Sequence, residues 1–506
     1  MMDAQRDPVT DAAIDAKFDQ CGWALAATYA SLPDAFWVRA EPTQFPAPKL
    51  VGWNANLANE LGLSMHAIND DALAHFATGQ RLPRGATPIA QAYAGHQYGH
   101  GTMLGDGRAI LVGEQRTPTG KLIDIQYKGA GETHFSRRGD GRAALGPMLR
   151  EYIVGEAMHA LGIPSTRALA VATTGEMISR DGLKRGAVLV RTAASHLRVG
   201  TFEYAAALGE VPLLESLTSY AIQRHDPDLQ GTPDSVVCFL RRIVARHARL
   251  VAQWQSVGFV HGVLNTDNVA ISGETLDYGP CAFIDSYDPD TVFSSIDRHG
   301  RYRYSQQPSV TQWNLARLAE SLLPLLEKDS ARAIDLANAA LAEFPAEYER
   351  AWLARFRAKL GLAVEHDDDA QLVRDLFAWM HAARADFTLT FRTLAEQLNA
   401  GEVPDCAPFT HDDAFAAWAT RWRARISLEV DPWAVPRRMR AENPSVIARN
   451  HRVEEAIAAA EERDDLAPFE RLLEAVRNPF LPDSHHAALR EPPPIGGCAY
   501  RTFCGT

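Results

Sequence analysis

The chain has 506 residues, of which 46% are apolar and 23% charged, and its formal net charge is −12. This ordinary globular composition leaves room for one large catalytic domain with additions, or for two or three domains. The acidic balance argues against nonspecific nucleic-acid binding as the main task, although a local basic patch stays open, and no apolar stretch reaches the length of a membrane span.

The polar start, MMDAQRDPVTDAAIDAKFD, has no apolar signal core, and the six cysteines (Cys21, Cys238, Cys281, Cys406, Cys498 and Cys504) form no CxxC pair or zinc-like spacing. Both features point to a reducing compartment, most simply the cytoplasm. Cys498 and Cys504 lie in the Gly-containing tail GGCAYRTFCGT, as incidental thiols or as a redox-sensitive end.

Residues 1–84 read as an N-terminal extension, in which FPAPKLVGWNANLANELGL leads into a short helix with Leu57, Leu61 and Leu63 as apolar contacts. The following segment, GATPIAQAYAGHQYGHGTMLGDGRAILVGE, is too rich in glycine for a regular element before Ala109. His96 and His100 within it read as packing or hydrogen-bonding groups of a loop rather than metal ligands. Ala109–Val112 and Lys121–Tyr127 are strand-like, and this hairpin ends at Lys128. A second Gly- and Arg-rich loop, residues 129–146, precedes PMLREYIVGEAMHALGI, a helical pattern that carries Glu151, with Pro147 at its first position. TRALAVATTG and GAVLVRTAAS are strand-like, joined by a turn around Asp181 and Gly182. Residues 85–205 are thus expected to form a strand-rich lobe with one embedded helix.

Beyond that lobe the patterns turn helical. VVCFLRRIVARHARLVAQWQSVGF places Val236, Leu240, Ile243, His247, Val251 and Trp254 on one face, with Arg241, Arg242, Arg246 and Arg249 on a solvated one. It delivers the chain to HGVLNTDNVAISGETLDYGPCAF, residues 261–283, around which the rest is organised. The run Val269–Ile271 and a turn at Gly273 read as a strand and hairpin that bring Asn268 and Asp277 to one edge. After Asp285 comes a long polar loop of the kind that covers or shapes a site. Further helices follow, marked by Leu315, Leu318, Leu322 and Leu326 (with a kink expected at Pro324), by Tyr348, Trp352, Phe356 and Leu360, by Leu372, Leu376 and Met380, and by Trp418 and Trp422. Three prolines interrupt the pattern in DPWAVPRRMRAENPSVIARNH, and VEEAIAAAEERDDLAPFERLLEAV is helical again. Residues 206–390 are expected to form a helical lobe with the catalytic and metal-binding loops, and 391–506 a helical extension ending in the cysteine-containing tail.

The chemistry concentrates in a few side chains. An Asn268 amide oxygen and an Asp277 carboxylate at one edge make a hard oxygen site suited to Mg2+ or Mn2+ carrying phosphates. Asp267, beside them, can orient or deprotonate a hydroxyl. Gly105, Asp106, Gly107 and Arg108 form a tight loop whose backbone amides can approach phosphates, and a Lys128 held by Glu151 can pair with phosphate oxygens. The order of Gly loop, Lys, helical Glu, HxxxxxxN and DxG is the parts list of a phosphoryl- or nucleotidyl-transfer enzyme with a protein-kinase-like fold. One kinase part is missing: the position two after His261, where a kinase carries its catalytic Asp, is Val263.

Through LPDAFWVR, NANLANELGL, AGHQYGHGTMLGDGRAILVGE, DIQYKGAGETHFSRRGDGRAALGPMLREYIVGEAMHALGIPSTRALA, VLVRTAASHLRVGTFEY, HGVLNTDNVAISGETLDYGPCAFID and MRAENPSVIARN, nearly the whole chain resembles the SelO family of protein adenylyltransferases. The resemblance implies an α+β, protein-kinase-like two-lobed fold, with a strand-rich N-lobe, a helical C-lobe and additions at both ends. It implies ATP bound flipped relative to kinases, and transfer of AMP to Ser, Thr or Tyr hydroxyls of proteins, the enzyme itself included, with release of pyrophosphate. Carried onto this sequence, Lys128 contacts phosphates and Glu151 holds it. Gly105, Gly107, Arg108, Asp140 and Gly141 contact the nucleotide, and Arg191 and Arg198 reach the same pocket, where guanidinium groups suit a pyrophosphate leaving group. Asp267 is the general base, and Asn268 and Asp277 hold Mg2+ or Mn2+. The expected partners are ATP and protein substrates, with no nucleic acid and no membrane. UMP transfer from UTP, an atypical γ-phosphate kinase and a non-catalytic nucleotide-binding scaffold are the alternatives. Some relatives carry selenocysteine third from the C-terminus, where this chain has Cys504, and bacterial relatives can join a tail cysteine to one in the loop after the DYG element. TVFSSIDRHGRY has no cysteine, which leaves Cys281 as the nearest candidate.

Overall fold

The computed structural model describes residues 17–398, 412–481, 486–494 and 502. The fold is α+β. Its centre is a nine-stranded sheet in which every pairing is antiparallel, in the order β2 (Trp37–Arg39), β4 (Ile89–Gln91), β7 (Ala109–Arg116), β8 (Leu122–Lys128), β11 (Gly182–Ala193), β10 (Arg167–Arg180) and β3 (Lys49–Trp53). Off this path, β1 (Leu25–Ala26) pairs with β7 and β9 (Ala143–Ala144) with β11. Residues before 85 therefore supply three strands of the same sheet.

The alternation of side chains along β7, β10 and β11 explains why these strands read as continuous apolar runs: both faces are covered. Ile110, Val112, Leu169, Val188 and Val190 enter one core with Phe76 and Tyr127. Leu111, Val171 and Leu189 enter another with Leu149, Ile153 and Met158 of the helix Leu145–Ala160. That helix is buried nearly all round, because the C-terminal helices Asn450–Arg463 and Ala467–Arg477 cover its outer side. Glu461 accepts from Gly146 N at 2.9 Å, and Arg150 pairs with Glu454 and donates to Asn450 Oδ1 at 2.8 Å.

The helical half is built on the helix Ser235–Ser256, which packs against Gln307–Leu326 and Phe344–Lys359. His247 is buried in it, and Arg242 and Arg246 are tied to Asp226. A further core holds Phe356, Leu376, Met380, Trp418 and Trp422. Among the described residues no helix is long and apolar enough to cross a membrane.

Five local expectations are corrected. The Gly-rich segment before Ala109 contains β4 and a hairpin of β5 (Ala94–Gln97) and β6 (His100–Met103), because Tyr98 and Gly99 turn at φ 52° and 89°, as a tight two-residue loop requires. Val269–Ile271 is no strand; single bridges tie Val269 to Thr275 and Ala270 to Arg198, while the true ladder is between β12 (Phe259–Val260) and β13 (Ala282–Phe283). Pro436 opens the helix Val435–Glu442 instead of breaking one, since its missing N–H costs nothing in a first turn. The last helical run is two helices, parted where Asp464 takes φ 54°. Pro147 stands two residues inside its helix, and Pro324 lies in the last turn of Gln307–Leu326.

Candidate active site

β8 and β11 are paired so that Arg191 lies opposite Gln126, and Lys128 shares a strand face with Gln126 two residues away. Arg191 Nε donates to Gln126 Oε1 at 2.8 Å, which fixes the guanidinium. Behind both cations stands Glu151: its carboxylate accepts from Lys128 at 2.6 Å and from Arg191 at 3.1 Å. In front stands Asp277. It accepts from Lys128 and Arg191 at 2.6 Å each and from Arg198 at 3.4 Å. Burial opposes ionisation there, but the three cations prevail and hold the Asp277 carboxyl well below the ordinary carboxylate range. Asp277 also sits at φ 63°, a left-handed conformation that Asp tolerates better than most residues and that the clamp over-determines.

Asp267 has the opposite environment. Its Oδ1 is buried with no hydrogen-bond partner, and Arg198 donates to its main-chain oxygen at 2.9 Å rather than to its carboxylate. Burial lifts its pKa to about 6, with Arg198 pulling the other way. The same Arg198 lies over the Tyr93 ring at 4.4 Å and 3.7 Å from Asp106, a buried carboxyl that burial likewise raises to about 6. Asn268 commits its Nδ2 to Val263 O at 2.9 Å, which leaves Oδ1 as its free acceptor.

The turn carrying Asp267 is tied down residue by residue. Asn314 donates to Leu264 O at 2.9 Å, Tyr98 N and the Tyr302 hydroxyl both donate to Asn265 Oδ1, and Thr266 donates to Glu203 Oε2 at 2.6 Å. His96 pairs with the other Glu203 oxygen and donates its main-chain N–H to Thr266 Oγ1 at 2.7 Å. His96 is thus a brace for the turn, while His100 lies exposed in β6 at the hairpin end. The far end of the chain reaches the same region. Thr502 donates from Oγ1 to Pro280 O at 2.6 Å and from N to Phe293 O at 2.8 Å, and accepts from Ser295 N at 3.0 Å. Cys281 is fully buried; Cys406, Cys498 and Cys504 lie outside the described residues.

Every expected site residue except Glu151 lines one cavity of about 610 Å³. Gly105 and Gly107 are there for a reason beyond close approach of a ligand. A Cβ at Gly105 would fall 2.3 Å from the Phe135 ring, and one at Gly107 would fall 2.8 Å from Phe135 O, so the GDGR loop is pressed against the loop that follows β8. Thr133 Oγ1 donates to Asp106 O at 2.6 Å and straps the two together. Gly141, at φ 63°, lies against Gly131, and Asp140 pairs with Arg180 on the outer rim at 2.8 Å. The cavity is also lined by Arg137, Arg142, Arg180, Tyr93 and Gln97, which sequence reasoning did not single out. Arg142 is neutralised by Glu176, but neither Arg108 nor Arg137 has a carboxylate partner among the described residues. The arrangement suits a polyanion: two guanidinium groups at the rim with no carboxylate partner among the described residues, three clamped cations at the floor, and Asp267 and Asp277, of opposite character, beside them. Among the described residues no group of three or more His, Cys, Asp or Glu is placed to hold a metal, so Asn268 and Asp277 are the oxygen donors to consider.

Comparison with known proteins agrees with this chemistry. The family model described as protein adenylyltransferase SelO matches residues 23–477. The chain is 53% identical over 487 residues to the protein nucleotidyltransferase YdiU of Geobacillus kaustophilus, covering 96% of this chain and 99% of that one. It is 50% identical over 486 residues to the corresponding protein of Syntrophotalea carbinolica (96% and 98% covered) and 48% identical over 491 residues to that of Nitrosococcus oceani (97% and 99% covered).

Proposed function

The chain belongs to the SelO family of protein adenylyltransferases and is a nucleotidyltransferase, and from that premise we propose that it transfers AMP from ATP to Ser, Thr or Tyr hydroxyls of proteins, itself included, in the cavity between β8, β11 and the 261–281 loop. One observation carries the assignment of roles. Among the carboxylates that line the cavity, Asp277 is clamped by three cations and kept ionised, and Asp267 is buried with one oxygen unpartnered and raised to about 6. Environments that push two carboxylates apart in this way separate a charge-holding role from a proton-accepting one.

At neutral pH Asp267 is mostly ionised yet basic enough to take the proton of an acceptor hydroxyl. The hydroxyl oxygen then attacks the α-phosphorus, the bond to the bridging oxygen breaks, and pyrophosphate leaves. Arg108 and Arg137 can receive the polyphosphate, and Lys128, Arg191 and Arg198 lie within reach of the charge that develops. Burial of Lys128 and Arg191 against Glu151 keeps both from wandering when Asp277 lets go of them. The α-phosphorus faces Asp267 if ATP lies flipped relative to kinases, and Val263 at the kinase-base position supports that orientation.

A divalent cation fits the donor set. Asp277 is ionised and Asn268 Oδ1 is free, both are hard oxygens, and phosphate oxygens with water can complete the shell of Mg2+ or Mn2+. When bound, it would add positive charge at the reacting phosphate. Incoming phosphates and Asp277 compete for the same three cations, so nucleotide entry frees the Asp277 oxygens.

The sheet with its Glu151-bearing helix, joined to the helical half through residues 259–283, supports a two-lobed, protein-kinase-like arrangement. Residues 85–205, completed by the three earlier strands, are the nucleotide lobe, 206–390 the helical lobe and 391–506 an extension; the setting is cytoplasmic. The test is incubation with α-labelled or γ-labelled ATP and a divalent metal, followed by a denaturing gel. Protein labelled only from the α position is the expected result. Label from the γ position would mean kinase chemistry, and no label with ATP still bound would mean a scaffold.

A further inference from the structure

Beside the catalytic cavity lies a second one of about 570 Å³, and the two share Tyr98 and Ile296. One wall is the irregular segment 296–303, and the other is the start of the helix Gln307–Leu326. Ile296 is 54% exposed at the junction. The charge here runs against that of the chain. Arg298, His299, Arg301 and Arg303 line the groove, with Asp297 as its one acidic residue. Asp297 is turned to the backbone: it accepts from Arg301 N at 2.9 Å and from Tyr302 N at 2.8 Å. Arg303 meets Asp290 at 3.0 Å, but Arg298 and Arg301 have no carboxylate partner among the described residues. Arg301 is held over the Trp313 ring at 4.7 Å, and its Nε is buried without a hydrogen bond. A guanidinium stacked in this way loses little freedom when it binds a carboxylate.

We propose that this groove seats the acceptor protein through an acidic segment flanking the hydroxyl that is modified. The proposal rests on the assignment of nucleotidyl transfer to protein above. A protein acceptor must lead a stretch of main chain past Asp267, and the shared Tyr98–Ile296 wall is a continuous route out of the catalytic cavity. Arg298 and Arg301 then offer fork-shaped donors to carboxylates on that stretch. The net charge of −12 opposes such a segment at long range, so the arginines of this groove and of the adjoining cavity decide where it lands.

The test uses three peptides with the same acceptor hydroxyl and acidic, neutral or basic flanks, labelled from α-labelled ATP by the full-length enzyme and by Arg298→Glu/Arg301→Glu. With the wild type, the acidic peptide should exceed the basic one by roughly tenfold in kcat/KM, mainly through KM, and the gap should close at high salt. In the double variant the ranking should invert while the KM for ATP stays put. Inversion is a gain that a misfolded enzyme cannot give. If the double variant is inactive, Arg298→Glu alone decides by the same ranking, because Arg298 has no stacking or carboxylate partner among the described residues to lose. Equal labelling of the three peptides by the wild type, or an unchanged ranking in an active variant, overturns the groove while transfer itself stands. No label on any peptide or on the enzyme overturns the transfer assignment and the groove with it.

Discussion

Replacing Asp267 by Asn should abolish transfer and make the protein more stable. The carboxyl is 8% exposed, has an unpartnered buried oxygen, and rises from the ordinary 3.8 to about 6 in the folded chain. A raised carboxyl favours folding only in its protonated form, so above the folded pKa the buried charge is a cost. At about 1.4 kcal/mol for each tenfold change in acid dissociation, that cost is about 3 kcal/mol at pH 7.5. Asn keeps the shape and removes the charge. For a chain of this length the unfolding entropy translates the relief into a rise of roughly 3 °C in Tm. Between pH 6 and 4 the advantage should shrink steadily, because wild-type Asp267 takes up its proton. Differential scanning fluorimetry across that range measures the one effect, and α-labelled ATP, with an expected loss of about 100-fold or more, measures the other. A Tm at pH 7.5 that does not rise, or a rise that ignores pH, refutes the buried charge. Undiminished transfer refutes the base.

Gly95→Ala should disable the same carboxylate without touching it chemically. The new Cβ would fall 2.4 Å from Asp267 Oδ1 and 2.8 Å from its Cγ, so kcat should fall by about 100-fold at nearly constant KM for ATP, and an active Gly95→Ala enzyme would show that Asp267 lies elsewhere in the working state. Asp277→Ala should nearly abolish transfer and destabilise the apo protein by about 3 kcal/mol, since Lys128, Arg191 and Arg198 lose a shared anion. A non-hydrolysable ATP analogue should then raise the Tm of the variant more than that of the wild type, because phosphates replace the missing charge. Equal shifts would show that phosphates do not engage these cations. Because Asp277 is held below the ordinary carboxylate range, the stability it confers is present at neutral pH and lost only on acidification below about pH 4, a component the Ala variant should lack.

Lys128 is legible because it ends an apolar strand and Glu151 because it interrupts an apolar helix, whereas Asn268 and Asp277 are legible only through their spacing from His261 and the DYG run. Arg191 is harder, since GAVLVRTAAS reads as an apolar strand and nothing local says that its one arginine faces Glu151 and Asp277 across neighbouring elements. Glycine density misled the reading around residues 94–103, where two turn residues with positive φ close a hairpin that composition alone suggests is irregular. Gly105 and Gly107 stand out in the sequence as a loop that a ligand could approach closely, but the packing pressure on them comes from Phe135, about thirty residues away, which no local pattern records. Arg137, Arg298 and Arg301 lie in aperiodic segments, and their importance comes only from which carboxylates failed to reach them.

The grip of Thr502 on Pro280, Phe293 and Ser295 has a consequence for anyone handling the gene. Pro280 follows Asp277 by three residues, so a residue 222 positions further along the chain helps to set the backbone beside that carboxylate. Removing the segment that carries Thr502 would cost those three hydrogen bonds, a lesion that looks remote on a map yet lands beside Asp277.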